Sequence, residues 1–520
     1  MLKGFLTVSG WTMISRVLGL VRDQLLAAFL GAGAAQDAYQ IACRLPNMFR
    51  RLFGEGALNA AFVPLFAALL EREGKATAQR FACETMSVLL SWLLLLTVLG
   101  EVFMPGVLRV IAPGFTHGGL RDSLAISLSR ITFPYLFLIC GAALVSGVLN
   151  GMHRFGVAAA AYVSFNVVGI AAIVLLPRLT GDVAHAAAWG VSASGVIQFA
   201  ILLYAARRAG MRLRLVTPCL TPRIRTLLGR MGVGLVGSGI TQINFMVDTI
   251  IATLLPAGSV SLMYFADRVN QLPLGVLGAA AGTTLLPVLT RLLAAGDTDG
   301  AHATQNRAIS YALVLTLPAA AGLLVTATPV MMALFGHGHF SARDAVLAAQ
   351  SLRAYAVGLP AFVLVKVLSP GFFARGDTRT PVLVGIGTLL LNFVLNLSFM
   401  HWLAHIGPPL ASSLAAMVNA GVLAFMLRRR GALVSSPLLG RQLAGMVGCA
   451  ALMAGGLFML EYTPLGNAMV AGPLMRVVDV GVMIMAGMGL YLGGLHVTGV
   501  ADMRQVTAAV TRRLRRSRTA

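Results

Sequence analysis

The stretch Leu58-Asn-Ala-Ala-Phe-Val-Pro64-Leu-Phe-Ala-Ala-Leu-Leu70 returns later in the chain as Gly282-Thr-Thr-Leu-Leu-Pro287-Val-Leu-Thr-Arg-Leu-Leu293. Both copies carry a proline inside an apolar run, and both follow a Gly-rich one. Further on, Pro134 is matched by Pro360, and each of those runs ends in a short basic turn, around Arg154 and around Arg375 to Arg379. The offsets, 223 and 226 residues, predict two halves of similar build. The surrounding sequence puts those halves in a bilayer. Of 520 residues, 58% are apolar and 11% are charged, where soluble domains carry about 25% charged residues. A soluble fold has no way to hide so much apolar surface. A secreted enzyme, a disordered tail and a soluble nucleic-acid binder are excluded.

A span needs about 20 mostly apolar residues. Fourteen candidates lie near 5–30, 37–70, 81–104, 124–150, 156–177, 184–206, 227–255, 259–289, 308–335, 345–373, 380–403, 407–427, 442–462 and 470–497. The second and eighth are long and interrupted by Gly and Pro, so bent, bundle-facing helices are expected there. The first carries Arg16 and is followed by no small-residue cleavage site, so it reads as a retained span rather than a signal peptide. The fold class is therefore an all-α integral membrane protein of about fourteen transmembrane helices.

Net charge is +22, from 40 Lys+Arg against 18 Asp+Glu. Most of it sits after even-numbered spans: Arg72, Lys75 and Arg80; the seven arginines from Arg207 to Arg230; Arg428, Arg429, Arg430 and Arg441; and the tail from Arg504 to Arg518. Loops after odd-numbered spans hold little beyond Arg109, Arg121, Arg178 and Arg343. Basic residues collect in cytoplasmic loops, so both termini are placed in the cytoplasm, which requires an even span count. The five cysteines are scattered without metal-like spacing and imply no disulfide framework.

The repeat divides the chain into residues 1–210 (spans one to six), 226–430 (spans seven to twelve), 440–498 (spans thirteen and fourteen) and a basic cytoplasmic tail at 499–520. Six is even, so the two six-helix lobes share one orientation. Their pseudo-twofold axis then runs along the membrane normal. Transporters of this build hold substrate between the halves and rock them to alternate access.

Ionisable residues inside spans cost roughly 2.5–3.5 kcal/mol on insertion scales and are functional candidates by default. The first span carries Arg16, Arg22 and Asp23, and the second Asp37, Arg44, Arg50, Arg51 and Glu55. The eighth carries Asp267 and Arg268, and other spans hold Glu101, Arg130, Asp248, Arg353 and Lys366. Arg51 and Glu55 stand four apart and can pair along one helix face. Cations still outnumber anions in the first two spans. The surplus needs either water or an anionic ligand, and Arg suits phosphate through its planar, bidentate donors. No P-loop, HExxH, G-x-S-x-G, CxxC or Asp-rich run is present. An enzyme is not expected, and without an ATP site the energy must come from a gradient, the membrane potential or downstream use.

The run Met13-Ile-Ser15-Arg16-Val-Leu-Gly19-Leu-Val-Arg22-Asp23 resembles the first helix of the MurJ/MviN family, lipid II flippases of the MOP exporter superfamily. Similar to that family are also Leu45-Pro46-Asn47 with Arg50-Arg51 and Phe53-Gly-Glu55-Gly56-Ala57, then Ala112-Pro-Gly-Phe115, Thr132-Phe-Pro-Tyr135, Tyr264-Phe-Ala-Asp267-Arg268 and Lys366-Val-Leu-Ser-Pro-Gly-Phe372. The resemblance covers the chain from end to end. It implies a flippase that moves undecaprenyl-pyrophosphate-linked muropeptide from the cytoplasmic to the periplasmic leaflet by alternating access through a cationic cavity. It places the substrate-binding arginines at Arg16, Arg22, Arg50 and Arg268, supported by Asp23, Asp37, Arg51, Glu55 and Asp267. Some members bind sodium, for which Asp248 and Asp377 are the candidate carboxylates here. No other cofactor is implied. A bacterial inner-membrane monomer is expected, with membrane lipids and lipid II as its partners. Gln271 stands where some relatives carry an acidic residue. The rival readings are another MOP-type exporter, for an O-antigen lipid or a drug, and a membrane enzyme acting on polyprenyl pyrophosphate. A drug-cation site should be acidic and aromatic, whereas this one is basic.

Overall fold

The structure, a computed structural model, describes residues 2–51, 58–434, 437–461 and 472–499. Glu55 and the tail beyond Gly499 lie outside the described residues. No strand occurs among the described residues, and every stretch read as a span is helical where it is described.

The chain runs through α1 (Leu2–Leu30), α2 (Ala34–Phe49), α3 (Leu58–Arg72), α4 (Lys75–Val102), α5 (Met104–Ile111), α6 (Leu120–Thr132), α7 (Tyr135–Gly151), α8 (Phe155–Leu175), α9 (Pro177–Thr180) and α10 (Val183–Arg208). It continues through α11 (Pro222–Thr253), α12 (Ser259–Ala294), α13 (Thr298–Phe335), α14 (Ala342–Phe373), α15 (Arg379–Leu403), α16 (Gly407–Arg429), α17 (Pro437–Glu461) and α18 (Pro473–Thr498). Among the described residues, nine helical stretches are long and apolar enough to cross a bilayer. One of them, Arg379–Arg429, has 51 residues, far more than the roughly 20 a crossing needs. It resolves into α15 and α16, joined by a tight turn at Ala404–Ile406. Helices α1, α11 and α12, of 29, 32 and 36 residues, also exceed a bilayer's hydrocarbon thickness in length.

Proline explains one break inside an apolar run. Leu120–Gly151 reads as one 32-residue apolar stretch. The chain turns at Phe133–Pro134, where proline lacks the donor that would continue the ladder, and α7 begins at Tyr135. Large apolar side chains such as Val110, Leu175, Leu452 and Met459 stand exposed. Lipid covers such surface in a multi-pass membrane protein.

Two compact units emerge. The first is Met1–Ser261 with Gly338–Phe340. It takes in α11, the helix that the repeat assigns to the second lobe. Its core joins α2 to α6, α1 to α8, and α10 to α7 and α8. Thr132 Oγ1 donates to the Ala42 carbonyl at 2.9 Å, tying α6 to α2. Phe62 stacks on both Phe66 and Phe81, each with ring centroids 5.5 Å away. The close approach of α7 to α3 depends on Gly151, where a Cβ would come within 2.6 Å of Phe66. The short segment Gly338–Phe340 joins this unit through the His339 N–H, which donates to the Ala28 carbonyl at 2.8 Å.

The second unit comprises Leu262–His337 and Ser341–Ala520. In it α13 packs on α14, α14 on α16, and both α17 and α18 on α13. Val363, Val367, Phe372, Leu423, Met453 and Leu457 share its buried core. The last two spans therefore belong to this core.

Candidate functional site

Helix α1 positions the first pair. Arg22 Nη2 lies 2.9 Å from Asp23 Oδ1, and Asp23 is wholly buried. The guanidinium also sits over the Phe165 ring of α8, 5.1 Å from its centroid, a cation–π placement. The Arg22 stem passes so close to Gly169 that a Cβ there would meet Cδ at 3.1 Å. One turn before Gly169, Asn166 donates to the Ser15 carbonyl at 2.9 Å and fixes α8 against α1. Two α8 residues thus hold Arg22 from one side, and its neighbouring carboxylate holds it from the other.

Helix α2 supplies the next cations. Its last described turn widens at Arg50–Arg51, a departure from α geometry often met at functional positions. Asn47 Nδ2 donates to the Cys43 carbonyl at 2.9 Å, and Arg50 Nε donates to Asn47 Oδ1 at 3.4 Å. Arg44 donates to the Phe245 carbonyl of α11 at 3.0 Å. Arg44 and Arg51 each lie 5.7 Å from the Phe245 ring centroid. The first unit therefore holds Arg22 at Asp23 and Phe165, Arg44 and Arg51 at Phe245, and Arg50 on Asn47.

Arg16 stands apart on α1, exposed and with no ion-pair partner among the described residues. Asp37 is wholly buried at another place. It accepts from the Gly258 N–H at 2.7 Å, from the Ser261 N–H at 2.9 Å and from Ser261 Oγ. Its carboxylate thereby satisfies donors at the start of α12, where helix amides lack intrahelical partners. Arg121 approaches the same carboxylate at 3.8 Å.

On the second unit, Arg268 is half-buried in α12, and Asp267 accepts a hydrogen bond from Gln271 one turn on. Asp377 precedes α15. It accepts from the Thr380 N–H at 3.0 Å and Thr380 Oγ1 at 2.6 Å, and it pairs with Arg430. The Thr380 bonds first, and Arg430 after them, lower its carboxyl to about 2. Asp248 is buried on α11 in the first unit. No cluster of three His, Cys, Asp or Glu that would hold a metal occurs among the described residues.

Sequence reasoning named Arg44 only as one of the in-span charges and gave no role to Arg121, Phe165, Asn166 or Phe245. Arg121 carried a signal, since it is one of two arginines in a nearly bare loop. The others have partners between 143 and 201 positions away, and spacing along the chain does not reach that far.

A sequence model of the family described as "Lipid II flippase MurJ" matches residues 26–475. A protein of Rhizobium meliloti (strain 1021) named "Probable lipid II flippase MurJ" is 40% identical over 98% of this chain and 96% of its own length. The "Lipid II flippase MurJ" of Burkholderia cenocepacia is 34% identical over 96% and 97% respectively. Among solved structures, "Lipid II flippase MurJ, inward closed conformation" aligns with a TM-score of 0.78 at 23% identity, covering 95% of this chain and 98% of that one. An inward-facing MATE-family multidrug transporter of the MOP superfamily aligns with a TM-score of 0.68 at 18% identity, over 82% and 98%. These two likenesses establish the fold.

Proposed function

The chain belongs to the MurJ family of lipid II flippases, and we propose that it carries lipid II from the cytoplasmic to the periplasmic leaflet of the bacterial inner membrane. It is a transporter rather than an enzyme. The observation that carries this reading is the cationic surplus of the first unit. Its first two spans carry five arginines, Arg16, Arg22, Arg44, Arg50 and Arg51, against three carboxylates, Asp23, Asp37 and Glu55. A pyrophosphate is an anion in the form that guanidinium groups bind best.

Arg16, Arg22, Arg50 and Arg268 form the proposed pyrophosphate set. Asp23 holds Arg22 in place between loads, so the site needs little reordering when substrate arrives. Arg51 and Glu55 support the set from α2 and the segment after it, and Asp267 supports Arg268. The sugars and peptide occupy a wet cationic cavity, and the prenyl tail stays in lipid through a lateral gap or a groove near α17 and α18. Two six-helix lobes, 1–210 and 226–430, rock to alternate access, with 440–498 as the additional pair and both termini in the cytoplasm. One copy suffices, since two lobes complete a cavity. Membrane potential contributes about 2.3 kcal/mol per charge per 100 mV, driving an anionic headgroup outward and an emptied cationic cavity back. Sodium coupling through Asp248 and Asp377 requires an ion to displace Arg430 from Asp377. Loss of sodium-stimulated flipping in Asp248→Asn tests that part.

The whole proposal is tested by leaflet access of lipid II in cells depleted of their own flippase. An externally added enzyme that cleaves periplasmic lipid II reports the flipped fraction. The cells carry the parent chain, Arg22→Ala or Arg268→Ala, matched for membrane abundance. Cleavage restored by the parent alone is expected. No restoration by the parent would redirect the substrate to another lipid-linked sugar, and restoration by both variants would remove the arginines from the mechanism.

A further inference from the structure

Residues 211–221, between α10 and α11, form no helix. They run as an extended strap along α4. Lys75, Gln79, Cys83 and Ser87 recur every four residues on one face of that helix; the last three hold the strap's backbone, and Lys75 holds Ala209 just before it. Lys75 Nζ donates to the Ala209 carbonyl at 3.4 Å, and Gln79 Nε2 donates to the Arg212 carbonyl at 3.0 Å. The Arg214 N–H donates to Cys83 Sγ at 3.4 Å, and the Val216 N–H donates to Ser87 Oγ at 2.8 Å. The strap thus climbs parallel to α4 and then returns, with Thr221 Oγ1 bonded to Glu84 at 3.2 Å and Arg223 paired with Glu73 at 2.9 Å.

The apex matters because of its depth. Ser87 stands six residues inside the span that begins near residue 81, which is about 9 Å along a helix. Surface-lying amphipathic segments bury their apolar side about 5–10 Å into the headgroup–acyl boundary. The apex carries apolar side chains that stand exposed among the described residues: Leu215 is 67% exposed, Val216 42% and Leu220 57%. Arg212 and Arg214 on the climbing limb are exposed, and neither guanidinium has an ion-pair partner among the described residues. Arg207, Arg208 and Arg225 stand exposed at the base.

We propose that this strap is a membrane-docking element: its apex Leu215–Leu220 enters the cytoplasmic leaflet, and Arg212 and Arg214 bind the headgroups of anionic phospholipids. It rests on the proposed orientation, with the loop after α10 cytoplasmic, and not on the identity of the cargo. The charge complementarity favours anionic lipid over zwitterionic lipid by about fivefold per arginine.

Cys219 provides the probe, being exposed at the apex while Cys83, Cys140 and Cys449 are buried and Cys43 is half-buried. An environment-sensitive fluorophore is attached at Cys219 of the full chain in nanodiscs of phosphatidylcholine mixed with phosphatidylglycerol. Quenching by doxyl-labelled phosphatidylglycerol is compared with quenching by doxyl-labelled phosphatidylcholine. Several-fold stronger quenching by the phosphatidylglycerol quencher is expected. Arg212→Gln with Arg214→Gln should bring the ratio near one. Leu215→Ser should lower quenching by both lipids while leaving the ratio intact. Equal quenching in the parent, or a probe fully open to aqueous iodide, overturns the proposal and points to a purely structural strap or an acidic protein partner. Orientation is checked separately with an impermeant maleimide. Labelling of Arg208→Cys, at the exposed base and in a Cys219→Ser background, is expected in inverted vesicles but not in spheroplasts, and the opposite pattern would overturn the orientation and this assignment with it.

Discussion

At the scale of single residues, the Arg22–Asp23 pair separates stability from function. Asp23 is wholly buried and Arg22 nearly so, with 13% of its side chain exposed. Removing one partner of a buried ion pair leaves the other charge uncompensated, which destabilises by roughly 3–5 kcal/mol. Replacing both by apolar groups of similar size is often neutral. Asp23→Ala should therefore lower the thermal unfolding midpoint in detergent, and Arg22→Met combined with Asp23→Leu should restore it. The double variant should still fail to flip lipid II if Arg22 binds pyrophosphate. A stable and active double variant would show the pair to be scaffolding. Asp377 gives a prediction in pH. Its folded pKa of about 2 lies below the ordinary carboxylate value near 3.9. The ionised form is favoured in the folded protein, so its contribution is present above about pH 4 and fades as pH falls toward 2. Asp377→Asn should lower the unfolding midpoint at neutral pH, with the difference from the parent shrinking across that acid window. A difference that is the same at every pH would place the effect elsewhere.

At the scale of helices, close packing rests on small residues at crossings, and Gly358 is the clearest case. A Cβ there would lie 2.5 Å from Ser413 Oγ and 2.7 Å from Ser413 Cα. Alanine at 358 must push α14 from α16, since backbone does not yield as a flexible side-chain end would. Overpacking of this kind costs about 1–3 kcal/mol. Gly322 is the control, because its nearest neighbour to a new Cβ is Met453 at 3.8 Å, an ordinary contact. Gly358→Ala should lower the unfolding midpoint, and Gly322→Ala should leave it unchanged or raise it through better helix propensity. Equal responses would mean that the α14–α16 crossing can relax. The helices themselves were legible in the sequence because an apolar run longer than a bilayer's thickness leaves the backbone few alternatives to helix. The break at Pro134 follows from the missing donor, although the run reads as one span without it. The strap at 211–221 was not legible. Its arginines announce a loop, but only its bonds to every fourth residue of α4 reveal that the loop runs along that helix.

At the scale of the molecule, charge is the property that sequence conveys best and structure refines most. The sequence singles out the basic in-span residues of the first two helices, and the structure seats Arg22 at Asp23 and Phe165 and seats Arg44 and Arg51 at Phe245. It gives Asp37 a different setting, because Gly258 and Ser261, its partners, lie 221 and 224 positions away. A carboxylate's partner at that separation cannot be read from local pattern. This charge distribution leads to a prediction for transport. If the loaded and emptied site differ by one net charge that crosses the whole field, a potential of 100 mV changes the driving force of that step by about 2.3 kcal/mol, which is up to about fiftyfold in rate. Purified protein in liposomes with lipid II, under a potassium–valinomycin potential, should flip faster when the cytoplasmic side is negative. Collapsing the potential should slow it by a factor at or below that bound. Arg50→Gln removes one charge from the moving set and should change the voltage dependence as well as the rate, whereas a purely structural loss would lower the rate and leave the dependence intact. A parent rate indifferent to potential would mean that the pyrophosphate and its arginines cross as a neutral assembly and that the emptied site returns neutralised, so the energy for net export would have to come from an ion gradient or from consumption of lipid II outside.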